Sequence, residues 1–259
     1  MITEKENTKA VAKVKKNSAI IEIKDLHKTF GKDNHILRGV NFTVNQGEDL
    51  VILGRSGSGK SVLIKCIVGL IIPDKGEINV FDENMLEFNK AELNEMRARV
   101  GFLFQSGALY DSMTVRENLA FSLRKHKAYL TGKEVEKEVV EALEDVGLAD
   151  SIDKMPSELS GGMRKRIGLA RTLILKPEII LYDEPTTGLD TITSREISEL
   201  ILDIKHKGKT TSIIITHDMA CAKLTADRII VLKEGQIQAE GTYEELEKSE
   251  DKWVRSFFA

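Results

Sequence analysis

The sequence predicts an α/β fold in which a parallel sheet core carries an antiparallel β subdomain and an inserted α-helical subdomain. Three patterns predict it. Residues 19–30 and 39–48 alternate apolar and polar side chains, as half-buried strands do. Residues 49–54, DLVILG, form a continuous apolar run, which is typical of a strand buried on both faces of a parallel sheet. Residues from about 106 to 162 repeat apolar side chains at helical spacing.

The remaining elements follow in chain order. The two alternating segments flank a loop from Gly31 to His35 and predict an antiparallel edge sheet. The run DLVILG leads into the glycine-rich stretch GRSGSGKS, which is followed by the helical pattern SVLIKCIVGLI, a turn and another strand. Three later apolar strands, EIILYDEP, TSIIITHD and RIIVLKEGQIQAEG, are separated by helical segments. This alternation predicts a parallel sheet flanked by helices.

The composition limits the function classes. The chain has 259 residues, of which 41% are apolar and 31% charged, enough for one large domain with a solvated surface. Its 38 basic and 41 acidic side chains give a net charge of −3, so no basic field indicates a nucleic-acid partner. Residues 1–18 contain five lysines and no apolar segment of signal-peptide length. We predict a disordered basic tail there, with attraction to an anionic membrane as the alternative.

GRSGSGKS is either a flexible linker or a phosphate-binding loop. It has a glycine, a glycine-lysine pair and a serine at the spacing of the loop that cradles nucleotide phosphates. A buried strand before it and an apolar helix after it favour the phosphate loop, since a linker would have polar flanks. The predicted nucleotide-binding residues here are Gly54, Arg55, Ser56, Gly57, Ser58, Gly59, Lys60, Ser61 and Val62. Lys60 would reach the β and γ phosphates, and the Ser61 hydroxyl would ligate Mg²⁺.

Two other predicted strands end in groups that suit attack of water on a nucleotide γ-phosphate. EIILYDEP ends in Asp183, which would hold Mg²⁺, and Glu184, which would orient a water for attack on the γ-phosphate. TSIIITHD ends at His217, where the same sheet edge allows a γ-phosphate contact. The simpler alternatives are a pair of surface acids and an ordinary core or surface histidine.

The stretch LSGGMRKRIGLAR, residues 159–171, resembles the signature of ABC-type ATPases. The order of glycine loop, Gln105, LSGGM, EIILYDEP, GLD and His217 is similar to that family from about residue 20 to residue 241. The resemblance implies a P-loop NTPase (RecA-like) core that binds ATP and Mg²⁺ and pairs head to tail with a second copy. The residues it assigns are Phe30 for adenine stacking, Gln105 for Mg²⁺, Ser160, Gly161 and Gly162 for the partner's γ-phosphate, and Asp190 for communication across the dimer.

Met163 stands where the family most often has glutamine, and LSGGM together with FQSGALYDSMTVRENLAFSLRKH looks like the ATPases of Mla/Mce-type bacterial lipid transporters. That resemblance implies a peripheral subunit at the cytoplasmic face of the inner membrane. Its expected partners are a permease and a periplasmic lipid-binding Mce-type protein. The alternatives are an ATPase of an amino acid or other solute transporter and a soluble non-transport ABC ATPase. The LSGGM segment argues against a P-loop GTPase or kinase, because it has no role in those classes.

The predicted organisation is an ATPase domain over residues 19–245, with the helical subdomain at about 106–162, and a C-terminal helical tail at 246–259. The segment after Gln105 would receive the permease, although its apolar residues also suit the core of the helical subdomain. Those residues are Leu109, Met113, Val115 and Leu119. In the tail, Trp253, Phe257 and Phe258 would pack on the domain or contact a partner.

Overall fold

The computed structural model describes residues 19–258, so the predicted tail at residues 1–18 lies outside the described part. The strands are β1 (Ala19–Phe30), β2 (Asn34–Asn45), β3 (Asp49–Leu53), β4 (Lys75–Val80), β5 (Glu83–Asn84), β6 (Val100–Leu103), β7 (Ile179–Asp183), β8 (Thr211–Ile215), β9 (Arg228–Lys233) and β10 (Gln236–Gly241). The helices are α1 (Lys60–Ile67), α2 (Lys90–Arg99), α3 (Val115–His126), α4 (Gly132–Asp145), α5 (Gly161–Leu173), α6 (Thr191–Gly208), α7 (Met219–Thr225), α8 (Tyr243–Glu247) and α9 (Lys252–Arg255).

The smaller sheet is antiparallel and has the strand order β2-β1-β4-β5. Its inward side chains alternate with outward ones along β1, where Ile21 and Ile23 are buried. Strand β4 pairs with β1, with Ile78 opposite Ile23. The strand after the glycine loop and its helix therefore joins the small sheet instead of continuing the parallel one, a placement that the local sequence pattern does not specify.

The larger sheet has the strand order β10-β9-β3-β8-β7-β6. All neighbouring strands in it are parallel except β10, which runs antiparallel to β9. Every residue of β3, β7 and β8 is buried, which explains why these strands read as continuous apolar runs. Because parallel strands end at one edge of the sheet, the segments that follow β3, β7 and β8 meet there. The predicted α/β class is confirmed.

The helical subdomain has its own apolar core, built from α3, α4 and α5. Val115 and Leu119 are fully buried in it, so they belong to the core and do not face a partner. Helix α5 extends the packing past the expected boundary near residue 162, because Ile167 packs in this core while Leu169 packs against the large sheet. One helix thus connects the subdomain to the sheet.

The C-terminal residues pack on the domain. Val254 is fully buried in the core cluster on one face of the large sheet, and the aromatic side chains pack edge to face around it. The ring centroids of Trp253 and Phe257 are 4.9 Å apart, and those of Tyr243 and Phe258 are 5.0 Å apart. Within residues 19–258 no helix combines the length and the apolar character needed to cross a membrane.

Candidate nucleotide-binding site

The loop between β3 and α1 has a backbone that only glycine adopts easily at several positions. Gly57 and Gly59 have φ angles of 79° and 106°, in the left-handed region. A Cβ atom added at Gly54 would lie 2.5 Å from both the Leu232 carbonyl oxygen and Ser58 Oγ. The glycines therefore allow a tight turn and close packing, which supports the phosphate loop over a flexible linker.

The polar side chains of this loop are arranged around an anion site. Lys60 is only 8% exposed, and its Nζ donates to the Gly54 carbonyl at 2.7 Å and to the Arg55 carbonyl at 3.4 Å. Burial lowers the pKa of the Lys60 ammonium, and the nearby carboxylates of Glu184 and Asp183 oppose that effect. Ser58 Oγ is buried and has no hydrogen-bond partner within the described residues.

A cavity of about 660 Å³ opens above the loop, a size that suits a small-molecule ligand. It brings together groups from the carboxyl ends of several strands, and the start of α1 adds a helix N-terminus that favours an anion. Its lining comprises Ile36, all residues from 54 to 62, Gln105, Glu184, Thr187, His217 and Phe257. The predicted loop residues, Gln105, Glu184 and His217 therefore share one cavity.

Oxygen ligands for a divalent cation stand beside the loop. Ser61 Oγ donates to Asp183 Oδ1 at 3.1 Å, and Gln105 lies in the cavity wall. Burial raises the pKa of the Asp183 carboxyl, while the hydrogen bond from Ser61 lowers it. One carboxylate with neutral oxygen ligands fits Mg²⁺, which usually completes its shell with water and substrate phosphates. These residues fit the ion, and the assignment of Ser61, Gln105 and Asp183 as its ligands stays a proposal.

Glu184 is held firmly at the end of β7. Its φ angle is 53°, an uncommon left-handed conformation for a residue with a side chain. Its Oε2 atom accepts a hydrogen bond from Thr187 Oγ1 at 3.1 Å and lies 2.7 Å from His217 Nδ1. A carboxylate fixed in this way at the cavity wall can orient and polarise a water molecule.

The predicted signature residues do not line this cavity. Ser160 caps α5, where its Oγ accepts from the Met163 N–H at 3.3 Å. Asp190 caps α6 and accepts from the N–H groups of Ile192 and Thr193 at 3.0 Å. None of Ser160, Gly161, Gly162 and Asp190 is among the described residues in the cavity wall. In the single chain, the phosphate loop and the signature are therefore separate.

The structure also describes the predicted adenine-stacking residue, whose role stays a prediction. Phe30 is 43% exposed, lies outside the cavity wall, and has Lys28 Nζ at 5.3 Å from its ring centroid. The wall contains Ile36, Thr187 and Phe257, which sequence reasoning missed. Thr187 belongs to the motif that follows Glu184 and could have been found from that position. Ile36 and Phe257 are far from the motifs in sequence, and no pattern around them indicates that they line the cavity.

A glycine loop between a buried strand and a helix, with an aspartate and a glutamate ending a neighbouring strand, defines a P-loop nucleotide-binding protein. In a comparison with known protein families, residues 37–187 match the ABC transporter family. The chain belongs to the ABC transporter family, as an ATP-hydrolysing subunit.

The names of individual relatives state different transport roles. The chain is 41% identical over 237 residues to the probable ribonucleotide transport ATP-binding protein mkl of Mycobacterium leprae, covering 92% of this chain and 68% of that protein. It is 39% identical over 242 residues to the intermembrane phospholipid transport system ATP-binding protein MlaF of Haemophilus influenzae, covering 93% and 90%. It is 38% identical over 235 residues to the L-cystine import ATP-binding protein TcyN of Bacillus subtilis, covering 88% and 87%.

A solved structure supports the same class. A dimeric ATP-binding cassette in a post-hydrolysis state, bound to ADP and Pi, superposes with a TM-score of 0.79 at 33% identity, covering 86% of this chain and 98% of that one. The predicted P-loop NTPase fold and the ATPase activity are thereby confirmed. The chain spans about two thirds of the length of its mycobacterial relatives. The names of the relatives refer to several transported substances.

Proposed function

We propose that two copies of this chain power phospholipid transport across the bacterial envelope, from the cytoplasmic face of the inner membrane. The expected partners are an integral membrane permease and a periplasmic lipid-binding Mce-type protein. The observation that carries the lipid assignment is the similarity to the phospholipid transport protein of H. influenzae over nearly the whole of both chains. The comparable similarity to an L-cystine importer makes an amino acid the alternative cargo.

The single chain supports a site that a second copy completes. The cavity above the phosphate loop lacks the signature residues, and the solved cassette with the same fold is a dimer. A neighbouring depression of about 820 Å³ shares Thr187 and His217 with that cavity, so the two adjoin there. The start of α5 is also accessible to an anion, because a Cβ added at Gly161 would meet nothing closer than Leu189 Cδ2 at 3.5 Å.

In the proposed mechanism, the Lys60 ammonium exchanges its bonds to the loop carbonyls for bonds to phosphate oxygens, and the loop N–H groups bind the β-phosphate. Mg²⁺, held by Ser61, Asp183 and Gln105, would neutralise phosphate charge when bound. Glu184 orients the attacking water, and His217 contacts the γ-phosphate while holding the Glu184 carboxylate. Loss of the γ-phosphate removes the contact shared by the two copies, so the dimer opens.

Gly161→Asp tests the composite site. The monomer has room for the new Cβ, but the carboxylate would repel the partner's γ-phosphate, and we expect at least roughly 10-fold weaker ATP-induced dimerisation. Affinity for fluorescent ATP in the monomer should stay the same. Dimerisation is measured by size-exclusion chromatography with light scattering.

Gly132→Asp is the matched control for that variant. Gly132 is also the first residue of a helix in the same subdomain, follows a capping threonine, and has open space around its position. It should leave dimerisation unchanged. Equal dimerisation of the Gly161→Asp protein and the parent would rule out the proposed composite site.

An exposed aromatic pair marks the surface that we assign to the permease. Tyr110 and Phe121 are 45% and 41% exposed, and their rings pack edge to face with centroids 5.2 Å apart. The Arg171 guanidinium lies 5.5 Å from the Tyr110 ring centroid. Buried Asn118 fixes this segment, because it accepts from the Tyr110 N–H at 2.7 Å and donates to the Tyr110 carbonyl at 3.1 Å. A rigid apolar surface suits a short helix of a membrane partner.

We expect the double variant Tyr110→Ala/Phe121→Ala to lose the membrane partner while keeping basal ATPase activity. The measurement is affinity copurification of the tagged full chain from detergent-solubilised membranes, with lipid and protein mass spectrometry. Tyr129→Ala is the control, since Tyr129 is an aromatic in the same subdomain with 79% exposure. Phospholipid and a lipid-binding partner in the parent sample support the proposal; a periplasmic amino-acid-binding protein in their place contradicts the lipid assignment.

A further inference from the structure

Lys165 is a buried cation that the mechanism above does not use. It lies on α5, five residues after Ser160, and only 5% of it is exposed. Burial lowers the pKa of its ammonium to about 8, although the Glu184 and Asp183 carboxylates favour the charged form. Burying an ammonium is costly unless its hydrogen bonds are satisfied. Its position therefore calls for a specific acceptor.

The acceptor is the backbone of the proposed catalytic glutamate. Lys165 Nζ donates to the Glu184 carbonyl oxygen at 3.0 Å. This carbonyl belongs to the peptide bond before Pro185, and a residue that precedes proline has restricted backbone freedom. Glu184 also has the left-handed φ angle of 53°. A backbone in this uncommon conformation persists when several surrounding contacts determine it.

Other contacts also restrain Glu184. Its N–H donates to the Ile215 carbonyl at 2.9 Å, and its carboxylate is held by Thr187 and His217. The backbone carbonyl accepts from the Thr187 N–H at 3.3 Å and, at the shorter distance of 3.0 Å, from Lys165 Nζ. Without the Lys165 bond the carbonyl keeps only the longer bond to Thr187, which lies in the turn after β7, so the peptide is less restrained and the carboxylate can move relative to the water that it must orient. Displacement by about 1 Å can cost on the order of 100-fold in rate.

Resting on the function proposed above, we propose that Lys165 is a positioning residue that holds the Glu184 backbone in its hydrolytic conformation. Helix α5 begins with the signature residues and reaches the end of β7 through Lys165. The helix that presents the signature to one nucleotide therefore also holds the glutamate that acts on the other nucleotide of the dimer.

The test is Lys165→Met, which removes the donor and keeps an apolar stem. We expect kcat for ATP to fall about 10- to 100-fold with KM within roughly threefold of the parent. ATP should still bind, and the ATP-bound dimer should accumulate, because hydrolysis and not binding is impaired. Lys165→Arg, which retains a cationic donor, should recover part of kcat. The measurements are steady-state ATPase kinetics and dimerisation with ATP.

Lys205→Met is the control for the loss of a mostly buried lysine. Lys205 is 15% exposed at its side chain and pairs with Asp49 and Asp227, not with Glu184. The Lys205→Met variant should have a lower thermal unfolding temperature than the parent and the same kcat when folded. A parental kcat in Lys165→Met, or an equal loss of nucleotide affinity and turnover, would overturn the inference. Failure of the parent to hydrolyse ATP would instead contradict the proposed function.

Discussion

Replacing Glu184 by glutamine is expected to reduce ATP turnover by about 100-fold or more, the usual contribution of a general base. The amide keeps the size of the side chain, but it cannot accept a proton from the attacking water. Because the phosphate loop is unchanged, ATP affinity should remain within roughly threefold of the parent. Unhydrolysed ATP should then hold two copies together, so a stable dimer should accumulate. Turnover is measured by phosphate release and the dimer by light scattering.

Glu178→Gln is the matched control, because Glu178 immediately precedes β7, at the end opposite Glu184. It makes an ion pair with Arg99 at 2.6 Å on the surface, and such pairs contribute little to stability. The control should hydrolyse ATP at the parental rate. Parental turnover in Glu184→Gln would exclude Glu184 as the group that activates water.

Lys60→Ala is expected to weaken ATP binding about 10- to 100-fold, the loss that corresponds to hydrogen bonds from a charged group to phosphate. The defect differs from that of Glu184→Gln, since the variant should fail to form the ATP-dependent dimer at ATP concentrations that saturate the parent. Equilibrium titration with a fluorescent ATP analogue measures the affinity, and thermal unfolding without nucleotide checks the fold.

The control for this variant is Lys75→Ala. Lys75 pairs with Asp25 on the small sheet, has a side chain 69% exposed, and does not line the cavity. Its loss should leave ATP affinity unchanged. Equal affinities of Lys60→Ala and the parent would show that the buried ammonium does not contact the phosphates.

The sequence alone predicted the fold class and the phosphate loop because these depend on neighbouring residues. The spacing of Gly54, Gly59, Lys60 and Ser61 specifies one turn and one helix start, and the apolar run before it specifies a buried strand. Asp183 and Glu184 could be assigned to the same edge because parallel strands end together. In both cases the prediction needed only the sequence of each motif and the rule that parallel strands end at one edge of a sheet.

Tertiary packing decided the rest. Strand β4 could have extended either sheet, and pairing with β1 selected the small one. Val115 could have faced a permease or the helical core, and the packing of α3 against α4 and α5 buried it. The approach of Phe257 to the phosphate loop and the bond from Lys165 to Glu184 join segments distant in sequence. Helix and sheet patterns fix which face of an element is buried, but only the assembled core determines which distant side chain meets it.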